Sequence, residues 1–414
     1  MDHFLLSVSV VMAIVVLIGF FNEKVTHLTD EIALLLFSTI IGLIITAVWA
    51  FSEDLSIREF LDRMQFFNLE RFLMDGVLCF MLFAGARNLK ISSFRINARS
   101  VSVLAFVCTL LSALLYGFIF YGVSKLIGLG FSLPMCLMMG SIIAPTDPIA
   151  ATSILKKFGL AHDVGFLMEA ESLLNDGVGV ALFVVFSGMV STGEGGGFLI
   201  TMGREIFGAV AIGAAVSFLC YLMLVHTKDQ SRMVFITLLA VALSYYLCEL
   251  LSCSGAIACV VTGLGFSIAR DRLPEETELA TFDSFWDTTD VLLNSVLYVI
   301  MGLSLVRILQ MPYVGIMSLI TIVLNFVCRY ISIWTGSFLI KPIPGGYTRP
   351  GFSMLFTWGG LRGGLCIALA MSTAPLVDGD IYHIILGCIY AAVFFTTVVQ
   401  GLTMRSVHER LKKA

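Results

Sequence analysis

Hydrophobic residues in this chain fall in long runs, not in the alternation of a half-buried strand or the one-sided stripe of a surface helix. A window of about 19 residues marks thirteen of them, lying within 4–21, 31–50, 72–89, 100–123, 132–153, 164–190, 198–225, 233–251, 254–270, 286–306, 313–339, 351–372 and 381–403. A helix that crosses hydrocarbon takes roughly 20 apolar residues, so the pattern predicts thirteen membrane spans. Most connections are short. The exception is Phe51 to Arg71, where Glu53, Asp54, Arg58, Glu59, Asp62, Arg63 and Glu70 alternate with Leu55, Ile57, Phe60, Leu61, Phe66 and Phe67. Their roughly helical spacing predicts an interfacial amphipathic helix. The first run lacks the basic flank and small-residue cleavage site of a signal peptide and reads as a span.

Composition sharpens the picture. Of 414 residues, 58% are hydrophobic and 13% charged, and mean hydropathy is +0.96; soluble domains carry roughly 45–50% and about 25%. A soluble enzyme is excluded. Net charge is −4, with charges scattered in short loops, so no basic face exists for nucleic acid. Cys79, Cys108, Cys136, Cys220, Cys248, Cys259, Cys328, Cys366 and Cys388 lie inside apolar runs and Cys253 beside one, as small core residues do. His3, His27, His162, His226, His383 and His408 are isolated near the ends of runs. No resident metal or cofactor is expected.

Basic residues are retained on the cytoplasmic side during insertion. With the N-terminus outside, seventeen of the 25 bases fall in cytoplasmic loops and six outside, while Arg329 and Arg362 stay within spans. The bias predicts an outside N-terminus and a cytoplasmic C-terminus.

Two runs are interrupted, the fifth at Ala144-Pro145-Thr146-Asp147-Pro148 and the twelfth at Trp358-Gly359-Gly360-Leu361-Arg362-Gly363-Gly364. Seven spans separate them, so they cross in opposite directions. Broken helices at matching places in two inverted halves point to a transporter's midplane binding site; kinked structural helices are the plainer alternative. The expected fold is an all-α polytopic membrane protein with inverted repeats and two crossed, broken helices.

An ionisable side chain at the bilayer centre costs at least about 2.5–3.5 kcal/mol, so each needs a reason. Asp147, Glu171, Asp176, Arg329 and Arg362 lie well within spans; Asp75, Glu169, Glu249 and Asp290 lie nearer the ends. Pro145 and Pro148 lack the N–H groups that would bond the carbonyls of Ser141 and Ala144. Freed carbonyls in hydrocarbon must find protein, water or a cation, and a dehydrated monovalent cation suits them. Asp147 reads as a cation ligand or as a charge balancing a half-helix N-terminus. At 3.6 residues per turn, Glu171, Ser172, Asn175 and Asp176 share one helix face. Such oxygen ligands suit hard alkali cations. A poorly solvated carboxylate also takes up a proton readily, so one group holds either H⁺ or the cation. Arg329 needs an acidic partner when buried, and Glu171 or Asp176 is available. Arg362 balances the carbonyl ends of half-helices or pairs with an acid, with a structural role favoured over ion contact.

These motifs resemble the cation:proton antiporter family of the prokaryotic NhaP-type sodium/proton antiporters and the animal NHE exchangers. Ser141-Ile-Ile-Ala-Pro-Thr146-Asp147-Pro148 is similar to that family's unwound Thr-Asp-Pro crossing, and Glu171-Ser172-Leu-Leu-Asn175-Asp176-Gly177 to its Glu-Ser-x-x-Asn-Asp signature. Trp358-Gly-Gly-Leu-Arg362-Gly-Gly resembles the second crossing helix, and Met81-Leu-Phe-Ala-Gly-Ala86 the family's early span. The likeness runs from about residue 70 to the end, in family order. It implies an NhaA-like antiporter fold and a homodimer in the lipid bilayer, exchanging Na⁺ or Li⁺ for H⁺ by an elevator motion. It also implies that Asp176, Asp147, Ser172 and the Thr146 backbone bind the cation, with Asp176 taking either Na⁺ or the proton. Glu171 would pair with Arg329, and Asn175 would fasten the site to the crossing helix; Arg362 supports the site. Asn at 175 instead of Asp implies electroneutral one-for-one exchange. By the same resemblance, 1–99 is largely dimerisation domain, 100–190 and 313–404 the halves of the core bundle, 198–306 linking spans partly in the dimerisation domain, and 405–414 a short cytoplasmic tail. The absence of a long tail points to a bacterial or archaeal cell (inner) membrane, where the exchange would serve pH and sodium homeostasis.

Other functions stay in view. A K⁺/H⁺ antiporter of the same family differs only by tenths of an ångström among oxygens. A cation channel usually gathers its acidic ring from repeated subunits, whereas one chain here supplies unlike residues. An intramembrane hydrolase would need a base near Ser172, and no His or Lys is placed there.

Overall fold

The computed structural model describes residues 2–51, 78–87, 91–147, 155, 159–192, 198–270, 279–303 and 313–413. The amphipathic helix expected after Phe51, with Asp75, Pro148 and several of the loop bases, falls outside the described residues. What is described is helical. In chain order the helices are α1 (Asp2–Phe21), α2 (Asp30–Phe51), α3 (Leu78–Ala86), α4 (Ile91–Ser102), α5 (Thr109–Ile127), α6 (Leu133–Ile143), α7 (His162–Thr192), α8 (Phe198–Val225), α9 (Gln230–Leu250), α10 (Gly255–Arg270), α11 (Ala280–Leu303), α12 (Val314–Ser337), α13 (Arg349–Trp358), α14 (Gly364–Met371), α15 (Gly379–Phe394) and α16 (Gly401–Lys413). Wider π turns, Val103–Cys108 and Phe395–Gln400, join α4 to α5 and α15 to α16. Every run read from hydropathy contains helix, and eight helices among the described residues are long and apolar enough to cross a membrane. The only extended pairing among the described residues is a single antiparallel bridge between Asp147 and Leu361.

Local chemistry accounts for the half-helices. α6 opens on Ser132, whose hydroxyl accepts from Met135 N–H at 3.4 Å, with a proline in the first turn. α13 opens in the same way on Thr348, which accepts from Gly351 N–H at 3.3 Å, again with a proline in the first turn. A capping hydroxyl and an early proline satisfy or remove amides that would otherwise be orphaned. α6 then stops after 11 residues and α13 after 10, too short to cross unaided. α7 is uninterrupted for 31 residues, about 46 Å at 1.5 Å per residue, and lies against α6.

The helices pack in two groups. In one, α11 lies on α2, and α3, α8 and α9 surround α10. Its core is aromatic: Phe83 and Trp286 rings are 4.7 Å apart, and the Trp286 indole donates to Thr237 Oγ1 at 3.0 Å. In the other, α5, α7, α12 and α15 pack around the two broken helices, to which α6, α13 and α14 belong. There Tyr116 finds Thr321 Oγ1 at 2.9 Å, as a buried phenol must. The groups meet where α7 touches α3, α8 and α10, and where α11 touches α14.

Small residues set the closest approach, since lipid supplies no hydrophobic drive between helices and packing must hold them. A Cβ on Gly140 of α6 would stand 3.0 Å from the Ala113 carbonyl carbon of α5 and nearer still to its oxygen. The obstacle is backbone, which cannot swing away. Gly140→Val is therefore expected to destabilise the protein by at least about 1–3 kcal/mol, measured as a lower melting temperature and reduced monodisperse yield in detergent.

Candidate functional site

The site is built from the two breaks and the face of α7 that meets them. Where α6 ends, Thr146 and Asp147 run extended past Leu361 and Arg362, and Asp147 N–H donates to Leu361 O at 2.8 Å. A continuous helix would use its own carbonyls for that bond. Two interrupted helices at one depth use each other's, as backbone in a water-poor interior requires.

Of the two carbonyls expected to be freed at the fifth run, that of Ala144 is met by protein, together with that of Pro145. Arg362, 1% exposed, donates from one guanidinium nitrogen to Ala144 O at 2.7 Å and Pro145 O at 2.6 Å, and from the other to Asn325 Oδ1 at 2.6 Å. A fixed positive charge thus sits on the carbonyl end of α6, complementing its dipole. Of the two roles open to Arg362, this is the carbonyl-end one, with the Asn325 amide as a further partner.

α7 supplies the second wall. Asn175, fully buried, accepts from Thr146 N–H at 3.2 Å and donates to Thr146 Oγ1 at 2.8 Å and Glu171 Oε1 at 3.1 Å. One amide therefore ties the long helix to the broken one. The Ser172 hydroxyl, one residue from Glu171, donates to Thr146 O. Glu171 itself meets Arg329 of α12, with guanidinium nitrogen to carboxylate oxygen at 3.0 Å and both side chains 3% exposed. Arg329 also donates to Phe356 O of α13 at 3.3 Å.

Asp176 is left. Its carboxylate is partly buried, lies within electrostatic reach of Asp147, Asp290, Glu171 and Arg362, and makes no hydrogen bond or ion pair among the described residues. Asp147 faces the second break, with Oδ2 2.9 Å from where a Cβ on Gly363 would stand; any larger residue there would displace the carboxylate. The six side chains singled out on the fifth, sixth and eleventh runs, Thr146, Asp147, Glu171, Ser172, Asn175 and Arg329, are thereby brought together with Asp176 and Arg362. Glu169 and Glu249 are exposed.

Asn325 and Asn294 escape a reading of hydropathy, and Asp290 was visible only as an acid near the end of its run. Asn325 was visible only as a polar residue one turn before Arg329. Asp290 and Asn294 lie on α11 in the opposite group, where Asn294 Nδ2 donates to Asp290 Oδ1 at 3.2 Å. Asn294 Oδ1 stands 2.5 Å from where a Cβ on Gly364 would be, at the first residue of α14. The signal existed: Asp283, Asp287, Asp290 and Asn294 follow one helical stripe. At the mouth of that stripe the buried Arg87 bonds Asp283 at 2.9 Å and Asp287 at 2.5 Å, and Arg270 bonds Asp283 at 2.7 Å. No group of His, Cys, Asp and Glu suited to a resident metal occurs among the described residues.

The chain is similar to known proteins in sequence and in fold. The family model described as sodium/hydrogen exchanger, transmembrane, matches residues 13–410. The Na(+)/H(+) antiporter NhaP of Pseudomonas aeruginosa is 28% identical over 98% of this chain and 96% of its own. The Na(+)/H(+) antiporter NhaH of Halobacillus aidingensis is 31% identical over 76% of each. The solved structure of the sodium proton antiporter MjNhaP1 from Methanocaldococcus jannaschii superimposes with a TM-score of 0.78 at 21% identity, covering 99% of this chain and 98% of that one, and so shares the fold. The family model spans nearly the whole length, and the chain belongs to the transmembrane sodium/hydrogen exchanger family.

Proposed function

We propose that this protein is a secondary antiporter that exchanges Na⁺ or Li⁺ for H⁺ across a cell membrane, one for one, with Asp176 as the group both ions share. The observation that carries the reading is the division of charge around the breaks. Arg329 neutralises Glu171, Arg362 is spent on backbone carbonyls, and Asp176 alone of the α7 acids in the membrane interior has no hydrogen-bond or ion-pair partner among the described residues. An uncommitted carboxylate within electrostatic reach of Asp147, on the helix whose Ser172 bonds Thr146 O, would offer with them the hard oxygen ligands an alkali cation prefers. Binding of the cation then displaces the proton, and the net charge of the loaded site is the same in either form.

Alternating access follows if the group holding the broken helices shifts against the group of α2, α3 and α8–α11. In this reading the second group forms the homodimer contact, and the N-terminus lies outside with the C-terminus in the cytoplasm. The names of the Pseudomonas and Halobacillus relatives, both Na(+)/H(+) antiporters, favour Na⁺ over K⁺ as the cargo.

The test is dequenching of a pH-sensitive dye in proteoliposomes on addition of Na⁺, Li⁺ or K⁺. The wild-type protein is expected to respond to Na⁺ and Li⁺, and Asp176→Asn to fall to the level of empty vesicles while still inserting. Full exchange by that variant would overturn the assignment, and a response to K⁺ equal to that for Na⁺ would replace the cargo. Because one carboxylate serves two ions, the rate should be bell-shaped in pH: at low pH protons exclude Na⁺ and raise its apparent KM, and at high pH too few protons remain to return.

The Glu171–Arg329 pair generates a further expectation. Removing one partner of a buried pair strands a charge, at about 3–5 kcal/mol. Arg329→Met should lower the melting temperature and yield accordingly, and the double variant Glu171→Gln with Arg329→Met should recover more than half of the loss. A double variant as unstable as the single one would show that Arg329 acts through Phe356 O instead.

A further inference from the structure

The π turn Phe395–Gln400 presents two adjacent threonines to the second break. Thr396 Oγ1 accepts from Arg362 N–H at 3.0 Å, and Thr397 Oγ1 donates to Arg362 O at 3.0 Å. Both are buried, at 1% and 2% exposure. The Thr396 hydroxyl also donates back to Ala392 O at 2.9 Å, so its proton and a lone pair are both in use. Successive side chains on a helix diverge by about 100°, and here that divergence places one hydroxyl on each side of a single residue's backbone. The run Thr396-Thr397-Val398-Val399 is β-branched throughout, which crowds an α turn. Local π turns of this kind recur at functional sites.

We propose that Thr396 and Thr397 are positioning residues of the transport site, a two-pronged clamp that fixes the Leu361–Arg362 strip and through it the cation ligands of the first break. The chain of contacts is direct. The threonines hold the Arg362 backbone, the Arg362 side chain holds Ala144 O and Pro145 O, and Leu361 O holds Asp147 N–H. Thr146 and Asp147 therefore take their places relative to Asp176 from a turn more than 200 residues away in sequence. Without the clamp, Arg362 N–H and C=O, which face no helical partner in the break, lose their partners. Cation affinity requires several oxygens at fixed spacing and so depends on that preorganisation; protonation of one carboxylate depends on it far less. The clamp rests on the antiport reading above, and its test separates the two.

Na⁺ titrations in proteoliposomes would be run on Thr396→Val, Thr397→Val and the conservative Thr396→Ser and Thr397→Ser, with Asp176→Asn alongside. Each valine variant is expected to raise the apparent KM for Na⁺ about three- to tenfold, the scale of one buried hydrogen bond, with maximal rate within about twofold of wild type. Each serine variant should stay within about twofold on both. Hydrogen–deuterium exchange on a peptide spanning 359–366 should quicken in the valine variants and not in the serine ones; where a valine variant fails to accumulate, Thr397→Ala removes the second prong with less bulk and is read in the same two ways. Wild-type KM and unchanged exchange in the valine variants would overturn the clamp, as would a lower maximal rate at unaltered KM, which marks scaffolding alone. An inactive Asp176→Asn beside valine variants of normal KM rejects only the clamp, whereas an active Asp176→Asn rejects the antiport reading on which it stands.

Discussion

Hydrocarbon offers no hydrogen bonds, and a helix interrupted within it leaves amides and carbonyls that must be met from inside the protein. The structure meets that constraint by crossing two interrupted helices at one depth. Asp147 N–H takes Leu361 O, Arg362 takes Ala144 O and Pro145 O, and Asn175 takes Thr146 N–H. Leu361 and Arg362 come from the second break and Asn175 from α7, so the first break is completed by two other elements, and the polar side chains nearby serve largely to complete the pairing. The transport chemistry proposed above rests on what the pairing leaves over.

That remainder is small and well placed. Buried charges persist only where a counter-charge or a set of hydrogen bonds holds them. Glu171 and Arg329 cancel across α7 and α12, and Arg362 faces the carbonyl end of α6. Charges already cancelled cannot answer to an arriving ion. Asp176 has no such partner among the described residues, and it sits where α7 passes the extended strip of the first break. A carboxylate in that position is costly when ionised and alone, and either a proton or a cation relieves the cost. In the exchange proposed above, the same physics that makes the residue expensive would make it exchangeable.

The surroundings divide the site between two groups of helices. Thr146, Asp147, Ser172 and Asp176 belong to the group around the breaks, while Asp290 and Asn294 approach from α11 in the other, with Asn294 against Gly364. Farther along the same stripe of α11, Arg87 and Arg270 clasp Asp283 and Asp287, binding α3, α10 and α11 into one unit. A cation passing between the groups would meet acidic side chains from both. Their relation changes if the groups slide and is constant within each.

The sequence by itself determined the class of fold, the places where two helices break and the identity of the costly residues. Long apolar runs have no other use, proline removes amides wherever it stands, and an acid within such a run demands a reason whatever its neighbours. The two breaks, the shared face of Glu171, Ser172, Asn175 and Asp176, and the need of Arg329 for an acid were all legible on those grounds. Which acid Arg329 takes, and so which one is left open, the residues alone did not say and only the family resemblance implied: Glu171 and Asp176 lie five residues apart on one helix, and the position of α12 puts Glu171 against the arginine. Nor could hydropathy bring Asn325, Thr396 and Thr397 to the breaks, since each is an ordinary polar residue in its own segment, and Asp290 stood out only as an acid near the end of its run. Tertiary structure decided these matters because hydrogen bonds and ion pairs act over about 3 Å, and separations of that size between distant segments are set by how helices pack, not by any periodicity along the chain.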